Sequence, residues 1–207
     1  MGTSLNSQPV IVANLAASRV VGATEMTAAA RLRYHRLLSS LPGTSTMKFE
    51  HLIEINDPLN PLVDPMTREQ LWRGLVLHAE QPKLFMPHLD ECTIVERSPG
   101  ELHRSRRFGK LIVEDRVSMA PLQQIRYDVH EQGEISASSL TITIETPSEQ
   151  LLYVRFKYDD GHDAVTDEAN KMYDEYKKSA YQEADIDAIR IVRELAQAGR
   201  LDASYLN

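Results

Sequence analysis

Hydrophobic and polar positions follow two different rhythms along this chain. Between residues 90 and 159 apolar side chains recur at every second position over short stretches, and each stretch ends at a turn signal. Strands are predicted over 91–97, 101–108, 111–119, 123–131, 136–146 and 150–159. The punctuation is Ser98-Pro99-Gly100, Gly109-Lys110, Ala120-Pro121, Gln132-Gly133 and Pro147-Ser148. Connections this short join antiparallel neighbours, because a parallel pair needs a crossover of about a dozen residues. An earlier strand is predicted over 47–55, where Phe49, Ile53 and Ile55 fall at period two.

The second rhythm is helical. Thr67-Arg68-Glu69-Gln70 has the form of a capping box, and a helix is predicted over 68–79 with Leu71, Trp72, Leu75 and Leu77 offered to the core. Pro82 and Pro87 bracket a short helical turn over 83–86. After Gly161 a long helix runs towards the C-terminus, with Thr166 or Asp167 as cap and Asp185 as a point of restart or bending. Ala180, Ala184, Ala188, Ile191 and Leu195 trace one stripe of it, with Ile189 and Val192 beside them. The order is strand, helix, short helix, six strands, long helix, which is an α+β fold. One helix is too narrow to cover a seven-stranded antiparallel sheet unless the sheet curls around it. Curling around alanines leaves space, so an interior cavity is expected; a filled core is the alternative.

Strand alternation assigns faces to the candidate site residues. Leu102, Arg104, Arg106 and Phe108 share one face, as do Leu111, Val113, Asp115, Val117 and Met119. Ile125 and Tyr127, then Leu140, Ile142 and Ile144, then Leu152, Val154, Phe156 and Tyr158 continue it. If these faces line the interior, Arg104, Arg106, Asp115 and Tyr127 are polar groups among aliphatic ones, which is the composition of a small-molecule site. A buried Asp115 then needs a cationic partner, and Arg104 or Arg106 is the nearest in kind. The expected lining is Trp72, Leu75, Arg104, Arg106, Val113, Asp115, Val117, Tyr127, Ile142, Val154, Phe156, Tyr158, Ala184 and Ala188. Asp115, Arg104 and Tyr127 are the catalytic candidates. Two plainer readings stand beside this one: a structural ion pair, or a strand turned so that Asp115 faces water. Tyr173, Tyr176 and Tyr181 offer further hydroxyls from the last helix.

Charge and composition narrow the function classes. A net charge of -7 disfavours a nucleic-acid backbone as partner. There is no apolar run of about 18 residues, hence no predicted membrane span. The single cysteine, Cys92, excludes an intramolecular disulfide and a multi-cysteine metal site. The seven histidines form no His-Glu-x-x-His and no pair at helical zinc spacing, so no metal is expected. Neither Gly-x-Ser-x-Gly nor a glycine-rich phosphate loop occurs, and no cofactor is expected.

Residues 1–46 differ from the rest. They hold four arginines, no lysine and one acid, leaving 19 of the 23 basic and 29 of the 30 acidic residues to the remainder. They read as a disordered extension, as residues upstream of a true start at Met47, or as an organellar transit segment. A short helix over 24–38 fits the spacing of Ala28, Leu32 and His35. The domain is expected over 47–201, with 202–207 as a tail and a cytoplasmic location; import directed by 1–46 is the alternative.

Several local sequences carry a resemblance. Met47-Lys-Phe-Glu-His-Leu, Leu71-Trp72-Arg-Gly74-Leu75, Leu102-His103-Arg104 and Ile112-Val113-Glu114-Asp115 are joined by Ser139-Leu140-Thr-Ile-Thr-Ile144-Glu145 and Leu152-Tyr-Val154-Arg155-Phe156. In this order and spacing they resemble the AtaL-like family of the SRPBCC superfamily. The resemblance implies the helix-grip fold of START-like proteins, pollen-allergen-type carriers and aromatic polyketide cyclases. That fold is a seven-stranded curved antiparallel sheet wrapped around a long C-terminal helix, with two short helices after strand 1. It also implies a cavity for a hydrophobic ligand and, in a related branch, cyclase or dehydratase chemistry. The expected function is therefore the binding of a small hydrophobic metabolite, with an enzyme on the same pocket or an interaction module with a filled core as rivals. Oligomeric state is left open.

Overall fold

The computed structural model of the protein describes residues 48–59, 63–133, 135–148, 150–159 and 168–202. The expected extension at 1–46, the helix over 24–38, the caps Thr166 and Asp167, the side chain of Tyr173 and most of the tail lie outside the described residues. Strands β1 (Lys48–Asn56), β2 (Glu91–Ser98), β3 (Glu101–Phe108), β4 (Leu111–Ala120), β5 (Gln124–Val129), β6 (Ser138–Ser148) and β7 (Leu151–Asp159) form one antiparallel sheet. Helix α1 (Arg68–Glu80) follows β1, and helix α2 (Glu168–Gln197) ends the fold. The sheet order is β1-β7-β6-β5-β4-β3-β2: a six-stranded meander with β1 returned to its far edge. This is the α+β helix-grip architecture expected above.

Three details differ from the sequence reading. The second short helix is a single 3₁₀ turn, Pro82–Leu84, because Pro82 starts a turn that Pro87 prevents from continuing. β6 begins and ends two residues later than expected and carries an irregularity between Glu145 and Ser148, where Pro147 cannot donate to the ladder. Asp185 does not restart α2, which runs unbroken past it; its side chain turns inward instead.

Register places the inner face in rows across the sheet. One row reads Leu102, Val117, Tyr127, Leu140, Tyr158, Phe49; the next reads Met119, Ile125, Ile142, Phe156, His51. Irregularities at Glu54/Asn56 in β1 and Ile94/Glu96 in β2 add bends at the two edge strands. Against the rows α1 buries Leu71, Leu75 and Ala79, and α2 buries Ile189, Val192 and Leu195. A smaller cluster of Leu89, Phe108, Val113 and Ile135 closes the β3–β4 end. Val113, expected in the lining, belongs to that cluster.

α1 is fixed at its start and α2 at its end. The capping box opens α1: the Gln70 amide donates to Thr67 Oγ1 at 3.1 Å, and the Thr67 amide donates to Gln70 Oε1 at 2.9 Å. α2 ends in a Schellman motif, with Gly199 at φ 70° and the Arg200 amide donating to the Leu195 carbonyl at 2.9 Å. That motif delivers Leu201 to the core, where only 2% of it is exposed. Between these ends Gly74 lets the helices meet, since a β-carbon there would overlap the Val192 side chain. Among the described residues no helix is long and apolar enough to cross a membrane.

Gly74→Ala therefore sets a helix-propensity gain of about 1 kcal/mol against an overlap costing about 1–3 kcal/mol. A net loss of about 1–2 kcal/mol is expected by urea unfolding, partly recovered when Val192→Ala is added. A stabilised single variant would show that the helices part without cost.

Candidate functional site

β3 and β4 pair with Arg104 opposite Asp115 and Arg106 opposite Val113, so alternation turns all three charged side chains inward. Arg104 grips Asp115 with two parallel bonds, Nε to Oδ1 at 2.9 Å and Nη2 to Oδ2 at 2.5 Å. Its remaining arm, Nη1, donates to the Ala79 carbonyl at 2.5 Å, one of the carbonyls that the last turn of α1 leaves unpaired. Arg106 Nη2 reaches the same Asp115 Oδ2 at 2.9 Å. The side chains of Arg104, Arg106 and Asp115 are only 2%, 8% and 0% exposed. The strand-reversed reading, with Asp115 facing water, does not hold.

Neighbours of this group feel its charge. The Arg104 guanidinium lies 5.1 Å from the centroid of the Tyr127 ring, within cation–π range. The Tyr127 hydroxyl is 3.0 Å from His78 Nδ1, and His78 packs edge-on against Phe85. Burial, then the charges of Arg104 and Arg106, depress His78 to about 3, so its imidazole is neutral at physiological pH. Burial also raises the Tyr127 phenol and the Cys92 thiol above their ordinary ranges. The two arginines diverge. Burial opposes the charge of Arg104, yet its bonds to Asp115 carry the net shift upward; burial and the neighbouring Arg104 leave Arg106 lowered.

A second polar group lies on the same inner surface. His51 of β1 is stacked between Phe49 and Phe156, with its Nε2 2.7 Å from Asp185 Oδ2. The Tyr158 hydroxyl donates to the same carboxylate at 2.7–2.8 Å, and its ring stacks on Tyr181 with centroids 4.2 Å apart. Burial pushes Asp185 up to about 6, against the bonds from His51 and Tyr158. His51 Nδ1 is buried without a hydrogen-bond partner. Leu140 stands between Tyr127 and Tyr158 in its row, so the two polar groups flank it.

Leu140 faces inward from a central strand and is still only half-buried, as are Ala184 and Ala188 on α2. Sheet and helix do not close fully over this part of the row. The remaining expected lining divides in two. Leu75, Val117, Tyr127, Ile142, Val154 and Phe156 are buried in the main core, while Trp72, Tyr158 and Ala188 pack partly buried around it. An open cleft of about 460 Å³ lined by Asp64–Met66, Gln70, Arg193, Ala196 and Gln197 contains none of the expected residues.

Three residues of these polar groups escaped the sequence reading. His51 stands at period two with Phe49, Ile53 and Ile55, and His78 lies at i+7 from Leu71 and i+3 from Leu75, so both share an apolar face. Asp185 lies four residues before Ile189 on the buried side of α2. A polar residue in register with an apolar stripe was the available signal.

The raised Asp185 makes a testable contribution to pH dependence. An acid whose folded pKa exceeds its unfolded value of about 3.9 binds more protons when folded. Its contribution is present below about pH 4 and is lost as the pH rises to about 6. Relative to wild type, Asp185→Asn is expected to gain roughly 2 kcal/mol between about pH 4 and pH 6.5 in urea unfolding. A pH-independent difference between the two proteins would place the Asp185 pKa in the ordinary range.

Comparison with known proteins places this architecture. No curated protein matches the chain. Among solved structures, the Zhui aromatase/cyclase from Streptomyces sp. R1128 is 16% identical and superposes with a TM-score of 0.51, covering 77% of this chain and 98% of its own. The di-domain ARO/CYC StfQ from the steffimycin biosynthetic pathway is 12% identical with a TM-score of 0.55, over 83% of this chain; the chain spans 55% of StfQ. At such identities the likeness is one of fold. The model of the family described as acetylaranotin biosynthesis cluster protein L matches residues 53–199, most of the chain and nearly all of the described domain, and the chain belongs to this AtaL family.

Proposed function

We propose that the protein binds a small, largely apolar metabolite between the sheet and α2, with Arg104, Arg106, Asp115 and Tyr127 at the ligand's polar end. The observation that carries this reading is the pairing of incompletely covered inner positions, Leu140, Ala184 and Ala188, with buried polar groups on the same face. A core built only for stability covers a central-strand leucine and avoids buried guanidiniums, since desolvating a charge costs several kcal/mol.

A second reading is an enzyme of the cyclase or dehydratase type. Two neighbours in fold are aromatase/cyclases, and Asp185 at about 6, bonded to His51 and Tyr158, titrates where a general acid or base is useful. Asp115 is poorly suited to that role. Both its oxygens are engaged by guanidiniums, so proton transfer falls to the Asp185 group, and Arg106 or Tyr127 would steady an enolate oxygen.

An apolar naphthalene dye is expected to bind the full chain at micromolar or tighter affinity. Ala184→Phe or Ala188→Phe should weaken it by about tenfold without unfolding the protein. Binding no tighter than to urea-unfolded protein would favour the interaction module with a filled core.

The charged group predicts a graded mutant series. Asp115→Leu strands two arginines and is expected to cost about 3–5 kcal/mol. Adding Arg104→Met restores part of this, and adding Arg106→Met as well restores most, because apolar groups replace buried ions at little cost. A single-variant loss within about 0.5 kcal/mol would contradict the buried geometry.

A further inference from the structure

The buried charge on β3 and β4 does not balance. Two guanidiniums, Arg104 and Arg106, meet one carboxylate, Asp115. Among the described residues Asp115 is the only carboxylate in ion-pair contact with either of them. The nearby groups cannot supply a second anion. Tyr127 and Cys92 are held neutral by burial, and His78 is neutral under the same two cations. One positive charge is therefore left over in an apolar interior, where an unpaired ion is strongly disfavoured.

The excess falls on one side chain. Arg104 is fully engaged, with two bonds to Asp115 and one to the Ala79 carbonyl. Among the described residues Arg106 makes one polar contact, from Nη2 to Asp115, while its Nε is buried without a partner and its side chain is only 8% exposed. From this imbalance we infer that the ligand is an apolar molecule bearing a single carboxylate, which Arg106 receives.

The class follows from charge and shape. A monoanion neutralises the group, whereas a dianionic phosphate would reverse its sign. The unpartnered Nε–H of Arg106, beside an Nη2 already in contact with Asp115, offers a charge-assisted donor to a carboxylate oxygen. The apolar remainder of such a ligand would extend towards the half-buried Leu140, which pairs with Tyr127 across β5 and β6. In the free protein Arg106 is a destabilising group retained for binding, a common trade between stability and function.

This inference rests on the binding reading above, and one experiment separates the two. Dansylated undecanoic acid and its uncharged methyl ester are titrated into the full chain at neutral pH, with wild type and Arg106→Met. In wild type the acid is expected to bind at least about tenfold tighter than the ester. In Arg106→Met the ratio should fall close to one, and the ligand-free variant should melt several degrees higher than wild type because the excess charge is gone. Equal binding of acid and ester to wild type overturns the carboxylate and leaves the apolar pocket standing. Binding of neither overturns both. An Arg106→Met protein that melts lower and still prefers the acid assigns Arg106 to structure alone. Should that variant fail to fold, the wild-type ratio of acid to ester decides by itself.

Discussion

The clasp of Asp115 by two arginines is the interaction on which the arrangement of the domain turns. Arg104 binds Asp115 across the β3–β4 pair and reaches the Ala79 carbonyl at the end of α1. One side chain thus ties the sheet to the C-terminal end of the first helix. Its Tyr127 and His78 neighbours extend the polar patch from the sheet to the same helix. A set of buried ions demands fixed geometry, because each partner left alone is costly. The patch therefore occupies with fixed charges a part of the interior that aliphatic side chains of similar volume would fill.

The other end of the interior is closed by different means. Gly74 brings α1 against Val192 of α2, and the Schellman turn after α2 returns Leu201 to the core. Here the packing is close and apolar. Towards the middle of α2, alanines and Asp185 replace the large residues, and the sheet meets the helix through His51, Tyr158 and Tyr181 instead. The domain is thus closely packed and apolar where the helices cross, and polar where the sheet meets the middle of α2.

For the proposed ligand, two polar groups flanking one half-buried leucine would divide the labour between its ends. The arginine end carries excess positive charge and suits an anion. The Asp185 end carries a carboxylate near its titration point and suits proton exchange or a neutral hydrogen-bonding group. Fold alone does not choose between carrier and enzyme, because the same architecture supports either. The chemistry of the two ends bears on that choice.

Much of this was legible in the sequence, for a local reason. Alternation and helical periodicity are properties of neighbouring residues, so the strands, the antiparallel meander from β2 to β7, the capping box at Thr67 and the inward face of Arg104, Arg106, Asp115 and Tyr127 could all be read without coordinates. The partnership of Asp115 with the arginines was likewise within reach, since β3 and β4 are joined by a two-residue turn. What only the tertiary structure decided involves residues far apart in the chain. His51 and Asp185 are 134 positions apart, and no local pattern links an edge-strand histidine to a helix aspartate. The same holds for Ala79 with Arg104, Gly74 with Val192, and the removal of Val113 to a separate cluster. Such contacts depend on how far the sheet curls and how α1 and α2 cross, and those angles are set by the packing of the whole core rather than by any segment of it.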